Sequence, residues 1–290
     1  MRLSDNLYSA SLTTASSLTF VINDGLMKWL LVDYGLFETL FLRGLLCLPM
    51  LALLCIYMRQ FIVRLNRRDS MLVMGRMLSE VGLTYCLLTA VQQMPLASLT
   101  ALLQSSPLFL SLVAFMFFGE RFRWRRWVAL GLGYLGVLII IRPSEAVPLS
   151  AALYGLLAVG FIVSRDSLAR LMSAEVPTLF PALMNVMGVM IFGGLLMESV
   201  PTTLPDPLTV FVFIAAAATI ILGNLLVVEM MRKGDIGFVS LFRYSAIIFS
   251  VIFGYMLFDE WPDMLTFAGS ALVIGAGLYS FYRERHIASG

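Results

Sequence analysis

Apolar residues along this chain come in continuous blocks, not in alternation. Each block is about 17 to 25 residues long, the length at which an α-helix crosses a hydrocarbon layer of about 30 Å. Ten can be read, over 9–31, 36–57, 70–92, 97–118, 126–142, 149–170, 178–197, 208–230, 237–257 and 264–282. Short connections holding most of the proline and charge separate them. Strands of a membrane barrel would alternate, whereas a helix satisfies its own backbone in lipid. The pattern therefore predicts an all-α integral membrane protein with ten transmembrane helices.

A second regularity lies on top of the first. The string FFGERFRWRRW around Glu120 closes one block, and YMLFDEWPDML around Glu260 closes another about 140 residues later. Aligning the two glutamates sets Leu103 against Arg243, Gln104 against Tyr244 and Pro107 against Ile247, so the fourth block matches the ninth. Each half then holds five spans, an odd number, and the second half enters the membrane from the opposite side. The expectation is two inverted five-helix repeats over residues 7–143 and 149–283, a plan that places a substrate between the halves.

Composition narrows the class. Of 290 residues, 60% are hydrophobic and 13% charged, with a mean hydropathy of +0.90, which excludes an ordinary soluble surface. Basic residues favour one side: clusters at Arg59 to Arg68, Arg121 to Arg126, Arg165 with Arg170, Arg232 with Lys233, and Arg283 with Arg285 all fall on the side of the N-terminus. By the positive-inside rule both termini are cytoplasmic, as in a multi-pass protein of a bacterial-type inner membrane. The net charge of +2 follows from this distribution and gives no reason to expect nucleic acid. Trp29, Trp124, Trp127 and Trp261 sit at span ends, where indoles favour the headgroup region. The opening MRLSDNLYS carries an acidic residue and runs into a full-length span, unlike a cleavable leader.

Catalytic chemistry finds no footing. The three cysteines lie within predicted helices and imply neither a disulfide framework nor a metal site. His286, the single histidine, is in the tail, and no H-E-x-x-H, phosphate-binding loop or nucleophile–base set occurs. No catalytic residue, metal or cofactor is expected.

Several strings together resemble the ten-helix EamA family of the drug/metabolite transporter superfamily over nearly the whole chain. They are ND-x-x-M-K from Asn23 to Lys28, F-E-x-x-F-L-R from Phe37 to Arg43, P-L-A from Pro95, P-L-F-L from Pro107 and G-E-R-F around Glu120. The run G-x-L-I-I-I-R-P ending at Pro143, F-R-Y at Phe242 to Tyr244 and D-E-x-P-D from Asp259 to Asp263 complete them. Within the family, ND-x-x-M-K, R-Y and D-E-x-P-D are most similar to S-adenosylmethionine uptake transporters. The resemblance implies a zwitterionic or charged organic substrate, such as an amino acid or adenosyl compound. An exporter of drugs or amphipathic metabolites on the same scaffold is the alternative, with an intramembrane enzyme or a channel behind it. A monomer and a homodimer both fit.

Ionisable groups at mid-membrane cost about 2.5 to 3.5 kcal/mol each on insertion scales and need partners or water. Asp24 and Lys28 are spaced i,i+4, either as a self-neutralising pair or as part of a substrate lining, and Lys28 lies near the outer end. Arg76 and Glu80 repeat that spacing, with Arg76 expected to reach the cytoplasmic interface. Arg43 is expected to pair with Glu38. Arg243 has no carboxylate on its own helix; beside Tyr244 it suits a substrate carboxylate, the alternative being a bridge to Asp24 or Glu80. Gln104 and Asn224 serve either packing or ligand hydrogen bonding. The candidate substrate-binding set is thus Asp24, Lys28, Glu80, Gln104, Asn224, Arg243 and Tyr244. Glu120 and Glu260, at helix ends, are read as structural. Pro107 is expected to kink the fourth helix, and the glycines of the fifth and tenth to allow close approach.

Overall fold

A computed structural model describes residues 3–60, 65–117, 124–142, 147–173, 175–177, 179–198, 206–233 and 241–288. Glu120 and Pro143 lie outside these residues. The described residues form helices α1 (Leu3–Asp33), α2 (Leu36–Tyr57), α3 (Arg67–Gln93), α4 (Leu96–Leu103), α5 (Ser106–Phe117), α6 (Trp124–Ile140), α7 (Leu149–Leu171), α8 (Leu179–Leu196), α9 (Pro207–Lys233), a 3₁₀ turn (Leu241–Tyr244), α10 (Ser245–Phe258) and α11 (Met264–Ala288).

Local chemistry sets the ends. The Asn66 side chain accepts from the Asp69 N–H at 2.7 Å and caps α3. Asp206 caps α9, accepting from the N–H groups of Leu208 and Thr209. These two caps stand at the same offset as Glu120 and Glu260. Asp263 caps α11 through the Thr266 N–H at 2.7 Å. Pro95 and Pro148 precede α4 and α7, where their missing N–H costs nothing. Asp259, at φ 55°, ends α10 in the left-handed region, and the Glu260 N–H then reaches back to the Gly254 carbonyl at 3.0 Å.

Six segments are long and apolar enough to span a membrane: Leu36–Tyr57, Arg67–Gln93, Leu96–Val113, Leu149–Leu171, Leu179–Leu196 and Pro207–Val227. Three shorter apolar helices, Trp127–Ile140, Phe242–Phe258 and Met264–Tyr279, join them. α1 has the length but a polar stripe, and the structure explains the stripe by burial of Ser9, Thr13, Ser16, Ser17, Thr19 and Asn23. Lipid is met elsewhere: Leu53, Phe211, Leu195 and Met256 all point outward, as does Trp261 at a helix end. Such a surface is stable only against hydrocarbon.

The helices pair in a regular way. α1 lies along α9 and α3 along α7; α2 packs on α8, α4 on α10, and α6 on α11. Exchanging α1 with α7, α2 with α8, α3 with α9, α4 with α10 and α6 with α11 turns each of these pairings into another of them or into itself. The α6–α11 crossing is set by glycine. A Cβ on Gly136 would lie 2.7 Å from the Gly269 carbonyl oxygen, and one on Gly269 would lie 2.8 Å from that of Gly136. Gly131 and Gly275, expected to serve the same approach, face open space.

The fourth predicted span is interrupted, though not by Pro107. The chain leaves helix at Gln104 and Ser105, and Pro107 falls in the first turn of α5, a position where a proline is tolerated. Among the described residues the ninth span begins with a 3₁₀ turn at Leu241–Tyr244, the matching place in the second half, and passes from it into α10.

Candidate functional site

The break in the fourth span and the 3₁₀ turn of the ninth come together. Gln104, at the C-cap of α4, donates through Nε2 to the backbone carbonyl of Arg243 at 2.6 Å. The same carbonyl accepts from the Ser17 hydroxyl of α1 at 3.4 Å. A backbone carbonyl freed where 3₁₀ passes into α-helix thus finds two side-chain donors, as an irregular backbone at membrane depth requires. The Arg243 side chain is exposed, and among the described residues no carboxylate pairs with it. Asp24 and Glu80, its alternative partners by sequence, are engaged elsewhere.

Tyr244 turns the other way. Its ring packs with the cluster around Leu108, Val137 and Ile247, and its hydroxyl occupies the space left by the absent Cβ of Gly277 on α11. Asn224 is exposed on α9 and donates to the Ile220 carbonyl of its own helix at 2.7 Å. Neither touches Arg243 or Gln104 through a hydrogen bond among those described.

Glu80 belongs to a second polar cluster, between α3, α7 and α8. It accepts from Arg165 Nη1 at 3.2 Å and from Asn185 Nδ2 at 3.4 Å. Arg165 Nε also donates to Asp166 at 2.9 Å, and the hydroxyls of Ser79 and Ser164 meet at 3.0 Å. The i,i+4 spacing of Arg76 and Glu80 yields no ion pair among the described residues, and Arg76 Nε is buried without a hydrogen-bond partner. Arg165 and Asn185 are the residues that sequence reasoning missed. Arg165 falls among the basic residues that indicate sidedness, yet it lies six residues inside the end of α7, and its neighbour Asp166 was the available signal.

A third cluster closes one end of the bundle. Lys28 Nζ forms an ion pair with Glu260, donates to the Met94 carbonyl at 2.9 Å and lies 5.2 Å from the centre of the Phe258 ring. The second Glu260 oxygen accepts the Leu96 N–H of the first turn of α4 at 3.0 Å. Lys28 therefore pairs across the bundle and not with Asp24. Asp24 accepts from the Asn23 amide at 3.2 Å, and Arg43 of α2 acts on it electrostatically in place of pairing with Glu38. Outside the membrane-spanning segments, Asp263 pairs with Arg142. Partial burial opposes ionisation of its carboxyl, but hydrogen bonds from Thr266 and the Arg142 charge outweigh it and hold the carboxyl below its ordinary 3.8.

Helices solvated by lipid, with one interrupted helix meeting the 3₁₀ start of another inside the bundle, define a multi-pass helical membrane protein of the transporter kind. Residues 7–142 match the EamA-like transporter family. Over 91% of its length the chain is 27% identical to the pseudopaline exporter CntI of Pseudomonas aeruginosa, covering 93% of that protein. Over 93% it is 24% identical to the S-adenosylmethionine uptake transporter of Rickettsia prowazekii, covering 91% of it. A riboflavin transporter of Rhizobium johnstonii matches over 66% of the chain and 63% of its own length, at 27% identity. The first half of the chain is thus EamA-like, and the chain as a whole is similar to these named transporters. A protein of known crystal structure shares the fold, with a TM-score of 0.65 over 99% of both chains at 15% identity.

Proposed function

We propose that this transporter is a secondary carrier that moves a small charged or zwitterionic organic metabolite across a bacterial-type inner membrane by alternating access. The observation that carries the reading is the meeting of the break at Gln104 with the 3₁₀ turn that holds Arg243, whose guanidinium is free of any carboxylate among the described residues. A guanidinium presents two parallel N–H donors to a carboxylate, and charge placed on an interrupted helix is costly unless a ligand uses it. Gln104, Arg243 and Ser17 form the centre of the proposed site. The other five candidates have contacts of their own: Lys28 pairs with Glu260, Glu80 with Arg165, Asp24 with Asn23, Tyr244 packs against Gly277 and Asn224 bonds within α9, so the proposed site is centred on these three.

The regular exchange of helix pairings and the matching caps at Asn66 and Asp206 support two inverted repeats over 7–143 and 149–283, which rock against each other. The basic clusters support cytoplasmic termini. Named relatives include an exporter and uptake transporters, so an amphipathic metabolite leaving the cell is the second reading.

The test begins with a thermal-shift screen of purified protein against amino acids, adenosyl compounds, vitamins and cationic drugs, since a ligand that binds the folded state raises its melting temperature. The compound with the largest shift is then used in liposomes. Saturable flux with counterflow supports a carrier, unsaturable flux a channel, and chemical turnover without flux an enzyme.

A further inference from the structure

The Lys28 cluster is not explained by substrate recognition. It joins α1 to the second residue after α10 and to the first turn of α4, so it spans both halves of the chain at one end of the bundle. Its ion pair is sheltered, with side chains 11% and 22% exposed. When α1 and α10 part, Glu260 leaves, and Lys28 keeps only the Met94 carbonyl. Opening leaves the ammonium without its anion, and a second carboxylate within reach can hold it. One stands a single turn away on the same face of α1: Asp24, four residues N-terminal, in the order that favours an acid–lysine pair.

Asp24 is set up for this exchange. In the present structure it has the Asn23 amide as its hydrogen-bond partner, and the Asn23 oxygen Oδ1 is buried with no donor. A protonated Asp24 supplies the missing donor, because a carboxylic acid gives an amide both an acceptor and an O–H. The other charges around it are few. Arg43 faces it from α2, Lys28 lies one turn along α1, Glu260 lies beyond α10, and Arg243 lies near Ser17 about two turns away. α4 and α10 carry no charge at all, α9 carries none before Glu229, and α3, which also packs on α1, carries Arg76 and Glu80 but none after Glu80. A metal ion is not the fitting occupant, since Asp24 and Asn23 offer too few oxygens to replace a hydration shell.

We propose that Lys28 is shared between two carboxylates, Glu260 when the Lys28 end is closed and Asp24 when it is open, so that Asp24 carries the coupling proton in the closed form and releases it on opening. Opening breaks the Lys28–Glu260 pair, forms the Lys28–Asp24 pair and frees one proton to the side that has opened. Acid then favours the closed form, because the closed form binds the proton more tightly. The proposal rests on the carrier reading but is tested apart from flux.

Met27, adjacent to Lys28 and fully buried, is replaced by cysteine in a chain whose Cys47, Cys55 and Cys86 are alanine. A hydrophilic maleimide is applied to purified protein, and each rate is divided by that of the unfolded protein at the same pH. The normalised rate is expected to fall roughly tenfold between about pH 8 and about pH 5. Adding Asp24→Asn makes labelling slow at every pH, and Asp24→Glu retains the dependence. Glu260→Gln, an independent arm, speeds labelling at pH about 8, because Lys28 is released toward Asp24. An undiminished pH dependence in Asp24→Asn, a flat profile in the parent, or no acceleration in Glu260→Gln overturns the proposal. Intact pH-dependent labelling with no flux of any ligand would instead overturn the carrier reading alone.

Discussion

Two arginines inside the bundle have opposite surroundings and so opposite expected roles. Arg165 is satisfied by Glu80 and Asp166, whereas Arg243 offers its carbonyl to Gln104 and Ser17 and keeps its guanidinium unengaged among the described residues. Replacing Arg165 by Ala leaves Glu80 with Asn185 alone and should destabilise the fold by about 2 to 3 kcal/mol, below the usual range for a sheltered pair because both side chains keep some exposure. Glu80→Gln in the same chain should recover part of that loss, as read by chemical denaturation in detergent. Arg243→Lys should retain weak transport and Arg243→Ala none, with both melting like the parent. A lysine keeps the charge but loses the paired donors.

Helices were more legible than their interruptions. Block length and hydropathy gave nearly every helix, because lipid enforces apolar runs, while the inverted plan drawn from the odd count per half belongs to the proposal. The break at Gln104 was displaced in the sequence reading because Pro107 is the conspicuous residue, while the chain places it in a first turn where it does no damage. Partners across helices were not legible at all: Lys28 and Glu80 each have a carboxylate or arginine at i,i+4, and spacing alone says nothing of a stronger partner on another helix. Two predictions belong to this scale. Gly269→Leu should separate α11 from α6 and cost about 1 to 3 kcal/mol, measured as a lowered melting temperature. Asp263 holds its capping carboxylate below 3.8 in the folded chain, so its stabilisation is complete above the unfolded value and is lost as pH falls through the folded one. The melting temperature of Asp263→Asn should therefore lie below the parent's at neutral pH and meet it under acid conditions.

At the scale of the molecule, a near-symmetric bundle is given direction by asymmetric charge. The contact between α3 and α7 holds Glu80 and Arg165, while its counterpart between α1 and α9 holds neutral contacts such as the Ser16 hydroxyl on the Gly223 carbonyl at 3.1 Å. Likewise Leu103 in the first half stands where the second half has Arg243. In the proposed carrier the repeat supplies two ways to open, and the residues that depart from it supply the grip on a ligand. Counterflow in proteoliposomes, with the ligand that most stabilises the purified protein, tests this most directly. The account predicts saturable, trans-stimulated uptake that disappears in a folded Arg243→Ala protein; flux that does not saturate, or that survives Arg243→Ala unchanged, would contradict it.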